Sequence, residues 1–151
     1  MRDLFTTIVF VLALSCLLVV PNASALEFYA LEPCRIVDTR DPGGGGSLLG
    51  GISQSVRSFV VGYRCGVPGD AVAVAVNVTA IAPTSDGYLA VFPSGDPEPS
   101  TAPSTLNFSA HTNTANGGIV KLGDYGAVGV WAGFGAVNNV DVTLDVSGYF
   151  R

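Results

Sequence analysis

The hydrophobic pattern is clearest over residues 70–83, where valines alternate with small side chains. One parity carries the valines, and the other carries alanines, an asparagine and a threonine. A period of two places alternate side chains on opposite faces of a β-strand, and β-branched residues suit that pleated surface. The pattern therefore predicts a central strand with neighbouring strands on both sides. Its predicted core-facing residues are Val72, Val74, Val76 and Val78.

The last predicted strand, residues 140–149, alternates just as regularly. Its apolar parity consists of Val140, Val142, Leu144 and Val146, and its polar parity consists of Asp141, Thr143, Asp145 and Ser147. An antiparallel sheet typically has one apolar face that packs on the core and one polar face that contacts solvent. We therefore expect the polar parity to face solvent.

Shorter strands are predicted along the rest of the chain, between turns rich in Gly, Pro, Asn and Asp. They span residues 26–31, 35–40, 55–62, 88–92, 104–109, 119–122 and 127–132. Residues 32–34 are expected to interrupt the first two strands, and residues 110–118 to form a turn. Because Asp86-Gly87 is a strong hairpin signal, residues 70–93 are predicted to form one long hairpin.

The strand pattern extends over the whole chain after residue 25, and no window of useful length shows a helical period. About nine strands at regular spacing are typical of a β-sandwich or a related barrel. The sequence therefore predicts an all-β, single-domain antiparallel β-sandwich over residues 26–151, of jelly-roll or related barrel type.

Residues 1–25 have the layout of a secretory signal peptide. A short basic start precedes an apolar run over residues 4–20, and Ala23-Ser24-Ala25 supplies small residues at the cleavage positions. We expect cleavage after Ala25, an extracellular or cell-surface location, and no membrane attachment afterwards. Two alternatives stay open. One is an uncleaved anchor, although the run is slightly short for a bilayer span of ~20 residues. The other is a lipoprotein modified at Cys16.

Removal of the signal peptide leaves two cysteines, Cys34 and Cys65. An even pair in a secreted chain predicts one disulfide. It would close a loop of about thirty residues and contribute ~3 kcal/mol in the chain-entropy model. Two thiols with a single histidine in the chain, His111, do not fill a tetrahedral zinc shell, so no metal site of this kind is expected.

The balance of charges narrows the possible partners. The formal net charge is -5, with 13% charged residues. Nucleic-acid binding needs a basic footprint, and attachment to anionic lipid needs clustered Lys and Arg. We therefore expect neither nucleic acid nor an anionic membrane surface as a partner.

A series of motifs along the chain resembles a β-rich module of secreted and surface-associated bacterial proteins. That module opens on P-C-R-x-x-D-T-R and closes on D-V-x-G-Y-F. The motifs lie at residues 33–40 (P-C-R-I-V-D-T-R), 65–68 (C-G-V-P), 75–79 (A-V-N-V-T), 87–95 (G-Y-L-A-V-F-P-S-G), 104–108 (S-T-L-N-F), 115–116 (A-N) and 145–150 (D-V-S-G-Y-F). The resemblance implies an extracellular bacterial location and a non-catalytic role, and it brings no active site to carry over.

Asp38 and Arg40 lie two residues apart, so the pattern places them on one strand face with Ile36, and Arg35 on the opposite face. The simpler interpretation is a structural ion pair or network that includes Asp141 or Asp145. The alternative is a ligand site formed by the same side chains. If the pair is partly buried, loss of one partner would leave the other charge buried without a counter-charge.

Three carboxylates are the best candidates for glycoside hydrolysis, namely Asp38, Asp141 and Asp145. Such enzymes need two carboxyl groups ~5–9 Å apart across a cleft, one of them with a raised pKa. Residues i and i+4 on one strand face are ~13 Å apart, so a solvated face is the preferred interpretation. His111 lacks a nucleophile elbow nearby, so we expect a solvent-exposed loop histidine rather than a catalytic triad.

The sequence also contains residues suited to two further kinds of ligand site. A structural calcium ion is possible because oxygen-bearing side chains lie in or beside loops. They are Asp86, Asp96, Glu98, Asn138, Asn139 and Asp141. Aromatic side chains could either fill the core or stack on sugar rings, and for Trp131 we prefer the core. The other aromatic candidates are Tyr29, Tyr63, Tyr88, Tyr125 and Tyr149.

The leading functional hypothesis is a non-catalytic module that binds extracellular or cell-envelope glycan. Its candidate ligand-binding residues are Asp38, Arg40, Trp131, Asp141 and Asp145, with no catalytic residue and no required cofactor. A second hypothesis is a structural protein that assembles with itself or a surface partner through sheet edges or an apolar face. A small hydrolase is the third.

Overall fold

The computed structural model describes residues 25–46, 48–49, 56–95, 103–133 and 138–151. The signal-peptide prediction for residues 1–24 and its alternatives therefore lie outside the described residues. Nine strands and one short 3-10 turn (Asp124–Gly126) form the described chain. The strands are β1 (Phe28–Asp38), β2 (Leu48–Leu49), β3 (Arg57–Val60), β4 (Ala73–Ile81), β5 (Gly87–Pro93), β6 (Leu106–Phe108), β7 (Thr114–Lys121), β8 (Ala127–Gly133) and β9 (Asn139–Phe150).

These strands form two antiparallel sheets that pack face to face, which confirms the predicted β-sandwich. The first sheet has the order β1-β9-β4-β7, and β2 also pairs with β9. The second sheet has the order β3-β8-β5-β6. One side of the sandwich therefore carries the edges of β1 and β3, and the other side carries the edges of β6 and β7.

The core lies between the sheets and is built from the apolar parities of the strands. β4 lies between β9 and β7, as predicted for a central strand. Val74, Val78 and Leu144 are fully buried, and all four apolar residues predicted on the last strand are buried too. Burying each such side chain contributes ~1.5–3 kcal/mol relative to leaving it exposed. The prediction that Val72 faces the core is wrong, because Val72 precedes β4 and is exposed.

The predicted hairpin over residues 70–93 is wrong. Asp86 does lie in the connection before β5, but β5 pairs with β8 and β6 in the second sheet. The physical reason is that both edges of β4 are already occupied, over its whole length, by β9 and β7. The connection therefore crosses from one sheet to the other.

Two further strand boundaries differ from the prediction. β1 continues through residues 32–34, where register shifts let extra residues bulge out against β9. Pro33 is tolerated there because β1 is an edge strand and needs hydrogen bonds on one side only. β7 begins at Thr114, inside the segment predicted as a turn, because backbone pairing with β4 overrides its weak local pattern.

The predicted disulfide is present between Cys34 on β1 and Cys65 in the β3–β4 connection. It ties the edge strand of the first sheet to the chain that leaves the second sheet. In the described part of the protein, no helix has the length and apolar character needed to cross a membrane.

Candidate functional site

Asp38 is the centre of a charged network on the outer face of the first sheet. Arg40 donates to its carboxylate from Nε (2.9 Å) and from Nη2 (2.6 Å). Arg35 reaches the same carboxylate at 3.4 Å and holds Asp145 with two bonds, at 2.8 and 3.1 Å. The predicted opposite orientation of Arg35 is wrong, because the bulge between Arg35 and Val37 brings Arg35 and Asp38 to one face.

The hydrogen bonds from Arg40 hold the pKa of Asp38 far below its usual value, and the charge of Arg35 acts in the same direction. In return, Asp38 raises the pKa of Arg40, and Asp145 raises that of Arg35. A general acid in glycoside hydrolysis needs a raised carboxyl pKa. The environment of Asp38 therefore acts against that chemistry and fits a structural ion network.

Asp141 lies beside this network, and its charge also raises the pKa of Arg40. Its carboxylate accepts a hydrogen bond from Thr39 Oγ1 at 2.9 Å, and that hydroxyl accepts one from the backbone N–H of Val142.

The predicted solvent exposure of Thr143 is wrong, since the residue is 1% exposed. Thr143 lies on the outward parity but is flanked by Asp38 on β1 and by Thr79 on β4.

Trp131 lies on the second sheet, so the five predicted ligand-binding residues do not converge on one site. It is buried, and it packs with Tyr88, Ala90 and Phe92 in a cluster separate from the main core. Tyr88 meets the indole edge-on, with ring centroids 5.3 Å apart. The indole Nε1 is buried and has no hydrogen-bond partner in the structure as described. Trp131 is therefore not an exposed stacking platform.

Two of the remaining tyrosines pack against each other where β1 begins and β9 ends. The rings of Tyr29 and Tyr149 are stacked with centroids 5.0 Å apart, and the Arg151 guanidinium lies 5.0 Å from the Tyr29 centroid. Beside them, Phe28 contacts Phe150 at the same centroid distance. These side chains are occupied in joining the start of β1 to the end of β9.

Tyr63 and Tyr125 differ from all the other tyrosines in exposure and backbone conformation. Tyr63 is 86% exposed and Tyr125 is 92% exposed. Both have a left-handed backbone, with φ of 64° and 59°. A non-glycine residue with positive φ is uncommon and costs free energy, and such residues cluster at functional sites.

The two tyrosines belong to turns that touch each other at one end of the sandwich. Gly62, beside Tyr63, donates its N–H to the carbonyl of Gly126, beside Tyr125, at 2.9 Å. A Cβ on Gly62 would lie 3.6 Å from the Gly126 Cα. With 3.8 Å between consecutive Cα atoms, the Cα atoms of Tyr63 and Tyr125 are at most about 13 Å apart. We call this pair of residues the tyrosine end.

Polar groups flank the tyrosine end. Asp124 precedes Tyr125 and is exposed, and its backbone N–H donates to Ser94 at 2.8 Å. Arg64 follows Tyr63 and donates to the Ile36 carbonyl at 2.7 Å, which fixes the turn against β1. Because the Arg64 guanidinium is already bonded, the free polar group at this end is the Asp124 carboxylate. Two exposed aromatic rings beside a carboxylate can stack on sugar rings and bond to their hydroxyls.

A groove of about 450 Å³ opens between the edges of β1 and β3. Its lining includes Asp38, Asp41, Phe59 and Arg64. Asp38 is bonded to Arg40, and Arg64 is bonded to the Ile36 carbonyl, so two of its charged groups already have protein partners. We therefore prefer the tyrosine end to this groove as the candidate ligand site.

The other candidates are spread over separate loops. His111 is exposed and lies in the β6–β7 connection, at the opposite end of the sandwich from Tyr125. Among the calcium candidates, Asp86 accepts a hydrogen bond from the Ala110 N–H at 2.8 Å, while Asp96 and Glu98 lie outside the described residues. Within the ranges described, no group of three or more His, Cys, Asp or Glu side chains is placed to hold a metal ion.

Sequence reasoning counted Tyr63 and Tyr125 among six aromatics but did not separate them from the rest. A signal was present, because Gly62-Tyr63 and Tyr125-Gly126 place each tyrosine beside a glycine in a turn. Aromatics in turns are exposed more often than aromatics in strands, since connecting segments run over the surface.

A scan against models of known protein families finds no match for this chain, and a search of curated proteins finds none either.

Proposed function

We propose that this protein is a secreted, non-catalytic module that binds an extracellular or cell-envelope glycan through the tyrosine end. The observation that carries the proposal is the display of Tyr63 and Tyr125, almost fully exposed, on left-handed backbone in two contacting turns. Burial contributes almost nothing at Tyr125, and the Tyr63 ring lies against Gly69 but stays 86% exposed. A role in contacting a ligand explains why both rings are there.

The chemistry of the tyrosine end suits a carbohydrate better than a charged polymer. Flat, amphipathic rings offer an apolar face with a hydroxyl at the tip. Sugar rings have apolar faces of their own, rimmed by hydroxyl groups that would bond to Asp124. The formal net charge of -5 disfavours polyanionic ligands.

Secretion rests on separate grounds. Residues 1–25 have the signal-peptide layout, and the disulfide between Cys34 and Cys65 is typical of an oxidising compartment. The resemblance to a module of secreted and surface-associated bacterial proteins points the same way. The environment of Asp38, with its lowered pKa, supports a role other than hydrolysis.

The test is co-sedimentation of the purified protein with insoluble cell-wall and polysaccharide preparations, with soluble sugars as competitors. We expect wild-type protein to pellet with at least one preparation. Tyr125→Asn and Tyr63→Asn should each weaken that binding by at least about tenfold, equivalent to ~1.4 kcal/mol. Asparagine removes the ring but tolerates left-handed backbone, so the fold should persist.

His111→Asn is the matched control, because His111 also has a positive φ (60°) and is exposed, but lies at the opposite end. This variant should bind like the wild type. If no preparation retains the protein, or if all three variants bind as the wild type does, the tyrosine end is not a glycan site.

A further inference from the structure

The four edge strands of the sandwich differ sharply in how well they are protected. A strand edge exposes unpaired backbone N–H and C=O groups and pairs readily with another chain, so proteins shorten, charge, cover or kink their edges. Apart from the two-residue β2, the edges among the described strands belong to β1, β3, β6 and β7. Three of them carry such protection.

β1 is the most heavily protected edge. It contains Pro33, it bulges twice, and it is joined by the disulfide to Cys65. The Arg64 guanidinium also occupies the Ile36 carbonyl. The edges in the second sheet are short, since β3 has four residues and β6 has three, and Arg57 on β3 donates to the carbonyls of Gly44 and Gly46.

β7 has almost none of these features: it carries one charge, and the Asn116 side chain donates to the Thr105 carbonyl at 2.7 Å. It is eight residues long, it pairs only with β4 among the described residues, and it has neither a proline nor a bulge. Thr114 to Val120 carry no charge, and Lys121 is the last residue of the strand. Ile119 is 68% exposed on the outer face, where Ala75 lies beside it on β4. A long, flat and partly apolar edge is suited to strand pairing.

We propose that the β7 edge pairs with the β7 edge of a second copy of this chain, antiparallel, across a two-fold axis at Gly117. Residues directly opposite each other in a sheet must share a face. With Gly117 opposite its own copy, Ala115 of each chain lies opposite Ile119 of the other. Both exposed isoleucines then gain an apolar neighbour, and the first sheets of the two copies join into one continuous sheet.

The sequence of β7 is self-complementary in this register and less so in the next. Moving the axis to Gly118 would place Ala115 opposite Lys121 and Ile119 opposite Gly117. That arrangement leaves both isoleucines without a side-chain partner. Of these two registers, the side chains favour the one with its axis at Gly117.

The size of the interface sets the expected strength. In this register the seven residues from Thr114 to Val120 pair with their copies, and at ~3.4 Å each they make a contact ~24 Å long. One strand edge is narrow, so the buried area falls well below the ~800 Å² per partner of a stable complex. We expect a reversible dimer that dissociates on dilution. The two-fold axis would point the tyrosine ends of the two copies in opposite directions. If the proposed glycan binding holds, a dimer would therefore bridge two glycan strands.

The first test is sedimentation equilibrium of the purified protein over a concentration series, without any polysaccharide. We expect a monomer–dimer equilibrium for the wild type. Ile119→Lys should raise the dissociation constant by at least about tenfold. The matched control is Val60→Lys, which places the same charge at another partly exposed edge residue and should leave the equilibrium unchanged.

The second test fixes the register with single cysteines. A Cβ on Gly117 would make only an ordinary contact, 3.7 Å from the Val76 carbonyl, and a Cβ on Gly118 would meet nothing within 4 Å. Both cysteines should therefore be tolerated. Gly117→Cys should form an intermolecular disulfide, whereas two Gly118→Cys residues would stand more than ~7 Å apart and should not.

A protein that stays monomeric at the highest concentration reached would overturn this proposal. So would a dimer that Ile119→Lys leaves intact, or a dimer that cross-links through Gly118→Cys instead of Gly117→Cys. None of these results depends on glycan binding, so the failure of one proposal can be told apart from the failure of the other.

Discussion

Replacing Tyr125 by asparagine should stabilise the protein, although it removes a large aromatic side chain. Tyr125 has φ 59° and ψ 24°, and it is 92% exposed. Its ring therefore contributes almost no burial, while the left-handed backbone of a residue with a Cβ costs roughly 1–2 kcal/mol. Asparagine adopts this conformation more easily than most residues. We expect Tyr125→Asn to gain about 1 kcal/mol in free energy of unfolding.

The comparison with Tyr125→Ala separates the ring from the backbone. Alanine removes the ring but, unlike asparagine, has no polar side-chain group that could bond to the local backbone and offset the strain, so the stability of Tyr125→Ala should match that of the wild type. The assay is thermal and urea unfolding of the three proteins with the disulfide intact. A gain of about 1 kcal/mol corresponds to roughly 4 °C in Tm for a domain of this size.

His111→Asn offers an independent check, because His111 has φ 60° and is exposed too. It should gain less than Tyr125→Asn does, because histidine itself adopts left-handed backbone more readily than most residues, and glycan binding should not change. The reasoning is refuted if Tyr125→Asn and Tyr125→Ala unfold at the same temperature, because the left-handed backbone would then carry no recoverable strain.

Two further predictions concern the charged network and the disulfide. Because the folded-state pKa of Asp38 lies below its unfolded value of ~3.9, the stability that this carboxylate contributes is present above about pH 4 and is lost as the pH falls toward the folded-state pKa. Urea unfolding across this range should therefore show the wild type losing its advantage over Asp38→Asn on acidification, and a gap that is constant with pH would contradict the assignment. Replacing both Cys34 and Cys65 by alanine should cost about 3 to 4 kcal/mol in the free energy of unfolding, since the bridge spans a sequence separation of 31; unchanged stability in urea would show that the open chain is already constrained there.

The strands with a clear period of two were predictable because burial enforces that period. Leu144 and its neighbours on β9 face the core as their parity requires. Which strands pair is a different matter, since a turn signal such as Asp86-Gly87 is local and carries no information about whether the edges of β4 are free. β9 and β7 occupy those edges from far along the chain, so the hairpin could not be excluded from its own sequence.

The charged network was only partly predictable for a similar reason. Alternation places Asp38 and Arg40 together, and their ion pair is present. Arg35 joins them only because of a bulge, which shifts every later side chain to the other face. The bulge depends on the register between β1 and β9, and no pattern within residues 33–40 predicts it.

The tyrosine end shows how the rest of the fold maintains local strain. Tyr63 and Cys65 both have positive φ within one short connection, with values of 64° and 53°. Such conformations persist only when the surrounding structure over-determines them. Here the Tyr63 N–H donates to the Val67 carbonyl at 2.8 Å, Arg64 is bonded to β1, and Cys65 is covalently fixed to Cys34. The disulfide is therefore placed where it fixes the turn that carries Tyr63. In this way a covalent bond supports the conformation of the proposed binding surface.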